Sequence, residues 1–116
     1  VEVALYVNAG LAAVVRAVHE TGAAGVGLYR TAIPFMLRKS HPDATSQAVV
    51  YREVLRAAKG REVVFRTLDI GGDKKVSYLP LPADEENPAM GWRALRISLD
   101  RPGLLRHQLR ALLEAG

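Results

Sequence analysis

GVGLYRT at residues 25–31 and VVFRT at residues 63–67 are short apolar runs that both end in an Arg-Thr pair. Short apolar runs bounded by turn or polar residues are typical of strands buried inside a sheet. Between these two runs, apolar side chains recur at helical spacing at Tyr51, Val54, Leu55 and Ala58. The order strand, helix, strand predicts a βαβ unit in which the two strands are parallel.

The chain before this unit repeats the pattern. The continuous apolar run Val3–Val7 predicts a first strand that is buried on both faces. A helix is predicted next, ending at Gly22, because apolar residues follow the spacing i, i+3, i+4 and i+7 at Leu11, Val14, Val15 and Val18. Strands at Val26–Tyr29 and Val63–Phe65 then complete a predicted sheet of three parallel strands.

The ends of two further helices can be predicted. Three residues could cap the helix around Tyr51 at its N-terminus: Asp43, Thr45 or Ser46. Gly60 is predicted to stop it. The last helix is predicted to start behind Asp100 as N-cap, with a buried seam of Leu105, Leu109, Leu112 and Leu113. The segment 68–92 is rich in glycine, proline and acids and too long for a simple connection, so we expect it to be functional or to contain a small extra element.

Alternating strands and helices fit two α/β architectures, an open doubly wound sheet and an eightfold (β/α)8 barrel. The pattern alone leaves this choice open. Three strands leave both edges of a sheet unpaired in either case. Because unpaired strand edges are templates for pairing with other chains, we expect self-association.

Composition limits the classes of function. With 116 residues, 49% hydrophobic and 24% charged, the chain is typical of one globular domain. It has no cysteine and no apolar run near the roughly 18 residues of a membrane span, so we expect a cytoplasmic protein without a membrane anchor. Twelve of the sixteen basic residues are arginine, but they are spread along the chain. With only seven aromatic residues beside them, nucleic-acid binding is not indicated.

Arg30 and Arg66 occupy the same position behind their strands, and each is followed by threonine. Ligands of parallel α/β proteins bind outside the carboxyl ends of the strands, and neighbouring strands lie about 4.8 Å apart. The two guanidinium groups could therefore converge on one small anion, each holding a phosphate or carboxylate through two hydrogen bonds. In the alternative interpretation, each arginine pairs with a neighbouring acid at the surface.

Other polar residues support weaker hypotheses. Gly71 and Gly72 could form an anion-binding concavity beside Lys74, or a plain tight turn. The acids of the same region match no calcium-loop spacing: Asp69, Asp73, Glu85 and Glu86. The three histidines have neither metal-ligand nor catalytic-triad spacing. The sequence therefore indicates no metal site and no catalytic residue in this segment.

Four ordered motifs make the chain resemble a known family. They are GVGLYRT at 25–31, RTLDIGGDK at 66–74, YLP at 78–80 and EENPAMGWRALR at 85–96. Together they resemble the phosphoenolpyruvate-binding barrel of the Enzyme I family, the phosphoenolpyruvate-protein phosphotransferases. Within that family, YRTAIPFM at 29–36 is most similar to the nitrogen-related paralogue.

The resemblance implies a fold and a binding site. Residues 1–116 would be the N-terminal portion of a phosphoenolpyruvate-binding TIM-type barrel, about its first three βα units and an excerpt of a longer chain. Arg30 and Arg66 would hold the phosphate of phosphoenolpyruvate (PEP), and Arg93 and Lys74 would support them.

The resemblance also implies what the parent enzyme does. It would transfer the phosphoryl group of PEP to its own histidine on a separate domain, and then to a small histidine-bearing phosphocarrier protein. The implied Mg²⁺ ligands and the acceptor histidine lie outside this segment. We therefore expect the isolated chain to be inactive.

The chain departs from the family pattern at Ala32, where the family usually has glutamate, and at Ala89-Met90, where it has Phe-Leu. The missing glutamate would be a partner that orients Arg30. Ala32 therefore favours one alternative, a stand-alone PEP-binding regulatory module without catalysis. A second alternative is the barrel of PEP synthase or pyruvate phosphate dikinase, which the segments DIGGDK at 69–74 and GWR at 91–93 disfavour.

Overall fold

The computed structural model describes residues 2–32, 42–69 and 94–116. Within these ranges, the strands are β1 (Tyr6–Ala9), β2 (Gly25–Arg30) and β3 (Glu62–Arg66). They form one parallel sheet in the order β1-β2-β3. The predicted mixed α/β fold with a parallel sheet is confirmed.

Helices connect and follow the strands. The described helices are α1 (Ala12–Arg16), α2 (Val18–Thr21), α3 (Ala44–Ala58), α4 (Leu95–Asp100) and α5 (Pro102–Ala115). α1 and α2 lie between β1 and β2, and α3 lies between β2 and β3. α5 packs along α3, which in turn contacts β3, so these elements form successive layers on one side of the sheet.

The main core lies between the sheet and helices α1 to α3. Its most deeply buried side chains include Ala9, Val15, Val18, Val26, Tyr29 and Val54. Phe65 of β3 contacts Tyr29 and Tyr51 edge to face, with ring centroids 5.4 and 5.3 Å apart. Because edge-to-face contacts between aromatic rings are favourable, Phe65 joins α3 to the centre of the sheet.

Strand β2 contains a bulge that sets the direction of its last residues. Val26 pairs with Val63 and Tyr29 pairs with Phe65, so two residues of β2 lie opposite Val64 alone. The extra residue allows Val26 and Tyr29 to face the helices although they are three positions apart. Arg30, the next residue after Tyr29, then pairs with Arg66 of β3.

The face of the sheet away from the helices is exposed along the described strands. Tyr6 and Val64 are each 46% exposed, and Val3 and Leu5 ahead of β1 are more than 70% exposed. The prediction that the first strand is buried on both faces is therefore wrong for this chain, and β1 begins only at Tyr6. Parallel sheets are normally covered on both faces, so the exposure of this face departs from the usual arrangement.

The first helical segment ends as predicted but is divided. Ala17 separates α1 from α2, and Gly22 ends α2 in the left-handed conformation with φ of 75°. In α3, Asp43 is the N-cap: its Oδ1 accepts a hydrogen bond from the backbone N–H of Ser46 at 2.8 Å. One of the three predicted caps is thereby confirmed, and such a cap contributes about 1 kcal/mol.

The last helical segment differs from its prediction. Asp100 ends α4 instead of capping α5, whose N-cap is Arg101. Two leucines of the predicted seam are exposed, Leu109 by 45% and Leu113 by 82%. The fully buried residues of α5 are Gln108 and Ala111. A polar side chain thus occupies the centre of the face that packs on α3.

We expect Gly25→Ala to destabilise the fold. A Cβ atom at residue 25 would collide with the backbone carbonyl of Glu62 on β3, so the two strands would have to separate. We expect a loss of about 1–3 kcal/mol in the free energy of unfolding, measured by urea denaturation. The control is Gly103→Ala in α5, where a Cβ has open space and alanine favours the helix by up to about 1 kcal/mol. Equal stability of both variants would contradict this account.

Candidate functional site

Arg30 and Arg66 lie side by side at the carboxyl ends of β2 and β3. The two residues are direct partners in the parallel register, so their backbones are neighbours. The side chain of Arg66 is 32% exposed, and Arg30 is exposed. The sheet thus presents two cationic side chains at the carboxyl ends of its strands, where ligands of parallel α/β proteins bind.

Arg66 has an acidic neighbour in the same segment. Its Nη2 lies 3.3 Å from Oδ2 of Asp69, an i,i+3 contact, which is the pairing that the second interpretation of the sequence predicts. Nε and Nη2 of Arg66 are nevertheless buried, and neither makes a hydrogen bond with the part of the chain that the structure describes. A guanidinium group has five N–H donors, so the contact with Asp69 leaves it capacity for a further anion. Because buried donors without acceptors cost free energy, such an anion would be stabilised here.

A buried chain of hydrogen bonds lies behind the two arginines; we call it the Gln108 network, comprising Thr31, Gln47, Tyr51 and Gln108. The Thr31 hydroxyl donates to the carbonyl oxygen of Arg66 at 2.7 Å. Gln108 Nε2 donates to Thr31 Oγ1 and to the Tyr51 hydroxyl, both at 3.1 Å, and its Oε1 accepts from the N–H of Leu68 at 2.7 Å.

The network ends on the other side at α3. The Tyr51 hydroxyl donates to Gln47 Oε1 at 3.1 Å, and Gln47 Nε2 donates to the carbonyl oxygen of Pro42 at 2.9 Å. All four side chains are at most 3% exposed. Each hydrogen bond therefore replaces one that water would otherwise supply, which is the condition under which polar groups are tolerated in a core.

Burial changes the acidity of the tyrosines in this core. It raises the pKa of Tyr51 from its usual value of 10.0 to about 12; the hydrogen bond from Gln108 lowers the pKa in part, and the nearby Tyr29 raises it further. Burial, and to a smaller extent the charge of Glu53, also raises the pKa of Tyr29. Both phenols are neutral at physiological pH, so the Tyr51 hydroxyl keeps the proton that it donates to Gln47.

The Gln108 network does not follow from the sequence patterns. They place Tyr51 on an apolar helix face and do not distinguish Gln47 or Gln108 from solvent-facing residues. The sequence did contain a sign that Gln108 is buried. Gln108 is three residues after Leu105 and four before Leu112, so it lies on the same helix side as the predicted apolar seam. Ala32, the departure from the family pattern, follows Thr31 and is buried at 4% exposure.

Several predicted site residues lie outside the described residues. They include the two proposed supporting cations, Arg93 and Lys74, and also the residues weighed for an anion or metal site, Gly71, Gly72, Asp73, Glu85 and Glu86. The structure therefore brings together Arg30 and Arg66, with Asp69 beside Arg66. The binding roles of all four cations stay predictions.

The described ranges hold no cluster of three or more histidine, cysteine or acidic side chains that could hold a metal ion. Asp69, the acid beside the arginine pair, contacts Arg66. These residues do not fit a magnesium site. In the same ranges, every helix is too short or too polar to cross a membrane.

Comparison with known proteins identifies related sequences. Residues 1–116 match the family described as PEP-utilising enzyme, PEP-binding domain. The chain is 54% identical over 96 residues to the phosphoenolpyruvate-protein phosphotransferase of Staphylococcus carnosus (strain TM300), which covers 83% of this chain and 17% of that protein. It is 54% identical over 94 residues to the protein of the same name from Haemophilus influenzae (strain ATCC 51907 / DSM 11121 / KW20 / Rd), covering 81% and 16%. The chain thus spans about a sixth of the length of these curated relatives.

We expect stability to fall at alkaline pH in a way that depends on Tyr51. Because the folded state raises the pKa of this phenol, the unfolded chain loses its proton first. The contribution of Tyr51 to the free energy of unfolding is therefore complete below about pH 10. It is lost between about pH 10 and 12, by at most about 1.4 kcal/mol per pH unit. Tyr51→Phe should flatten this dependence in urea denaturation series, and also lower stability at neutral pH because Gln108 and Gln47 lose a partner. Tyr6→Phe, at a 46% exposed position, is the control; equal flattening in both variants would refute the assignment.

Proposed function

The chain belongs to the PEP-utilising enzyme family as a PEP-binding domain, and we propose from this that it is the substrate-binding part of a phosphoenolpyruvate-protein phosphotransferase. The relatives from S. carnosus, H. influenzae and Latilactobacillus sakei, at 52–54% identity, carry that name. Their names favour this function over that of a PEP synthase or a pyruvate phosphate dikinase.

The observation that carries the proposal is the pairing of Arg30 with Arg66 at the carboxyl ends of adjacent strands. PEP has a phosphate and a carboxylate on a three-carbon frame, and guanidinium groups bind both through paired hydrogen bonds. Arg30 and Arg66 would hold the phosphate. Arg93 and Lys74 are the proposed additional cations.

The proposed reaction breaks the bond between phosphorus and the enol oxygen of PEP. The phosphoryl group passes to a histidine nitrogen of the enzyme, leaving the enolate of pyruvate, and then to a histidine-bearing phosphocarrier protein. During transfer, negative charge redistributes over the phosphoryl oxygens and the leaving enol oxygen. Arginines that are already in position stabilise this charge without reorganisation, which is the contribution of the present residues.

We further propose that β1, β2 and β3 are the first strands of a TIM-type (β/α)8 barrel. The sequential parallel order and the helices on one face suit such a barrel. Its closure would cover the exposed face that carries Tyr6 and Val64, because that face would line the barrel interior. In the isolated chain, the same surface and the unpaired strand edges favour the predicted self-association.

Magnesium has no step in this proposal. The described residues do not fit the ion, and the family resemblance assigns its ligands to other parts of the parent protein. Its use by the parent enzyme stays a prediction.

We expect the full-length product of this gene to become phosphorylated on histidine when incubated with isotopically labelled PEP. Arg30→Ala and Arg66→Ala should each lower kcat/KM for PEP by roughly 10- to 100-fold, the loss expected for one charge-assisted hydrogen-bonded contact. Arg110→Ala is the matched control, because Arg110 is an exposed arginine that also pairs with an acid, Glu114 at 3.2 Å.

Two results would contradict the proposal. The proposed function would be wrong if the wild-type protein neither bound PEP nor became labelled. PEP binding that depends on Arg66 but leads to no labelling would instead identify a stand-alone regulatory module, the function that Ala32 favours.

We expect the isolated 116-residue chain to accept no phosphoryl group from PEP. One of its histidines, His19, has its Nε2 3.5 Å from Nζ of Lys59, which follows α3 and precedes β3. His19 therefore lies near the amino ends of the strands, whereas Arg30 and Arg66 lie at the carboxyl ends. Mass spectrometry of the purified chain after incubation with PEP should show no added phosphoryl group. Stoichiometric labelling would be incompatible with an acceptor on a separate domain.

A further inference from the structure

Gln108 makes contacts that join distant parts of the chain at one amide group. It lies on α5 and is 1% exposed. Its partners Thr31 and Leu68 are 77 and 40 residues away in the sequence. Thr31 directly follows Arg30, and Leu68 is two residues after Arg66. One side chain therefore holds the segments that carry both arginines.

The direction of every hydrogen bond around Gln108 is fixed by chemistry. The backbone N–H of Leu68 can only donate, so the amide oxygen must face it and the NH₂ group must face the hydroxyls. Thr31 donates its single proton to the carbonyl oxygen of Arg66, and therefore can only accept from Gln108. Tyr51 likewise donates to Gln47 and accepts from Gln108. A reversed amide would place two donors against each other at Leu68.

These bonds fix the backbone on both sides of Thr67. The carbonyl of Arg66 is held by Thr31, and the N–H of Leu68 is held by Gln108, which also holds Thr31. Asp69, which contacts the guanidinium group of Arg66, follows Leu68 directly. The same amide thus determines where Arg66 leaves its strand, where its acidic partner lies, and how this segment is placed relative to Arg30.

We propose that Gln108 is a positioning residue for the arginine pair: its side-chain amide holds Thr31 and Leu68 so that Arg30 and Arg66 face one anion together. This inference rests on the proposed function, because the anion it concerns is PEP. Gln108 itself lies below the site and contacts neither guanidinium group in the described hydrogen bonds. It acts through Thr31 and the backbone of residues 66–68.

The chain contains a matched control for this role. Gln47 is also a buried glutamine, at 3% exposure, and it also bonds to Tyr51. Its other bond leads to the carbonyl of Pro42 and not to the Arg66 segment. Gln108→Leu and Gln47→Leu therefore make the same chemical change in the same network, but only the first removes a contact to residues 66–68.

The experiment measures KM and kcat for PEP in the full-length gene product, at a temperature well below unfolding of each variant. A variant that is merely less stable contains fewer active molecules, which lowers the apparent kcat and leaves KM unchanged. Misplaced arginines weaken binding by every molecule, so KM rises. We expect Gln108→Leu to raise KM about 10- to 100-fold, the scale of effects from small displacements of substrate-holding groups. Gln47→Leu should leave KM near the wild-type value.

Gln108→Glu tests the direction of the bonds. Glutamate keeps the length of the side chain and an acceptor for the N–H of Leu68, but as a carboxylate it cannot donate to Thr31 or Tyr51. If the Thr31 hydroxyl turns to donate to the new carboxylate, the carbonyl of Arg66 loses its partner. We therefore expect KM for PEP to rise in this variant as well, although the side chain has almost the same shape.

Failure of this inference can be told apart from failure of the proposed function. A wild-type protein without activity toward PEP would overturn the proposed function and this inference with it. An active wild-type protein, with Gln108 variants that match Gln47→Leu in KM, would overturn the positioning role alone. The positioning role would likewise be overturned if Gln108→Leu lowered only the apparent kcat.

Discussion

Parallel pairing of β2 with β3 is the constraint on which the rest of the structure depends. It requires close approach of the two backbones at Gly25 and Glu62, where a larger residue than glycine would collide with the neighbouring strand. The bulge between Val26 and Tyr29 then shifts the register by one residue before the strands end. Tyr29 consequently meets Phe65 in the core, and Arg30 meets Arg66 at the edge. Core packing and the arrangement of the cations follow from one set of backbone contacts.

Close to this edge, the structure uses a buried polar network where an apolar contact would be the simpler solution. An apolar side chain at residue 108 would pack against α3, but it could not satisfy the N–H of Leu68 or the hydroxyl of Thr31. A buried polar group without a partner costs about 1–3 kcal/mol, whereas a fully bonded network has no such cost and permits one geometry. Apolar packing is tolerant of small displacements. Hydrogen bonds of fixed direction are not, which suits a region that must hold two charged groups in register.

The sequence predicted the elements of the fold well where local patterns decide them. The strands around Val26 and Val63, the cap Asp43 and the stop at Gly22 are all set by residues near them in the chain. The equivalent positions of the two Arg-Thr pairs likewise predicted that Arg30 and Arg66 would be neighbours in a parallel sheet. Such features require no knowledge of distant contacts.

Predictions failed where a distant contact decides the outcome. The apolar periodicity predicted that Leu109 and Leu113 are buried, and both are exposed. It gave no prediction for Gln108, because it considers only apolar residues and a glutamine is expected to face solvent. Gln108 is buried because three partners, from α3 and from the segments that follow β2 and β3, satisfy its amide, and none of them is near it in sequence. The exposure of Val3 and Leu5 could not be predicted either, since a buried strand and an exposed apolar segment ahead of a strand have the same apolar pattern.

The charge of the described residues supports the proposal that further cations take part in binding PEP. Arg30 and Arg66 contribute two positive charges, and Asp69 offsets one of them. PEP carries roughly two negative charges on its phosphate and one on its carboxylate near neutral pH. The described residues would therefore leave most of that charge uncompensated in a partly buried site, which is costly. Arg93 and Lys74 would raise the local charge to match the ligand. In the proposed function, the arginine pair would hold the phosphate, and neutralising the whole substrate would depend on Arg93 and Lys74 in the sequence that follows β3.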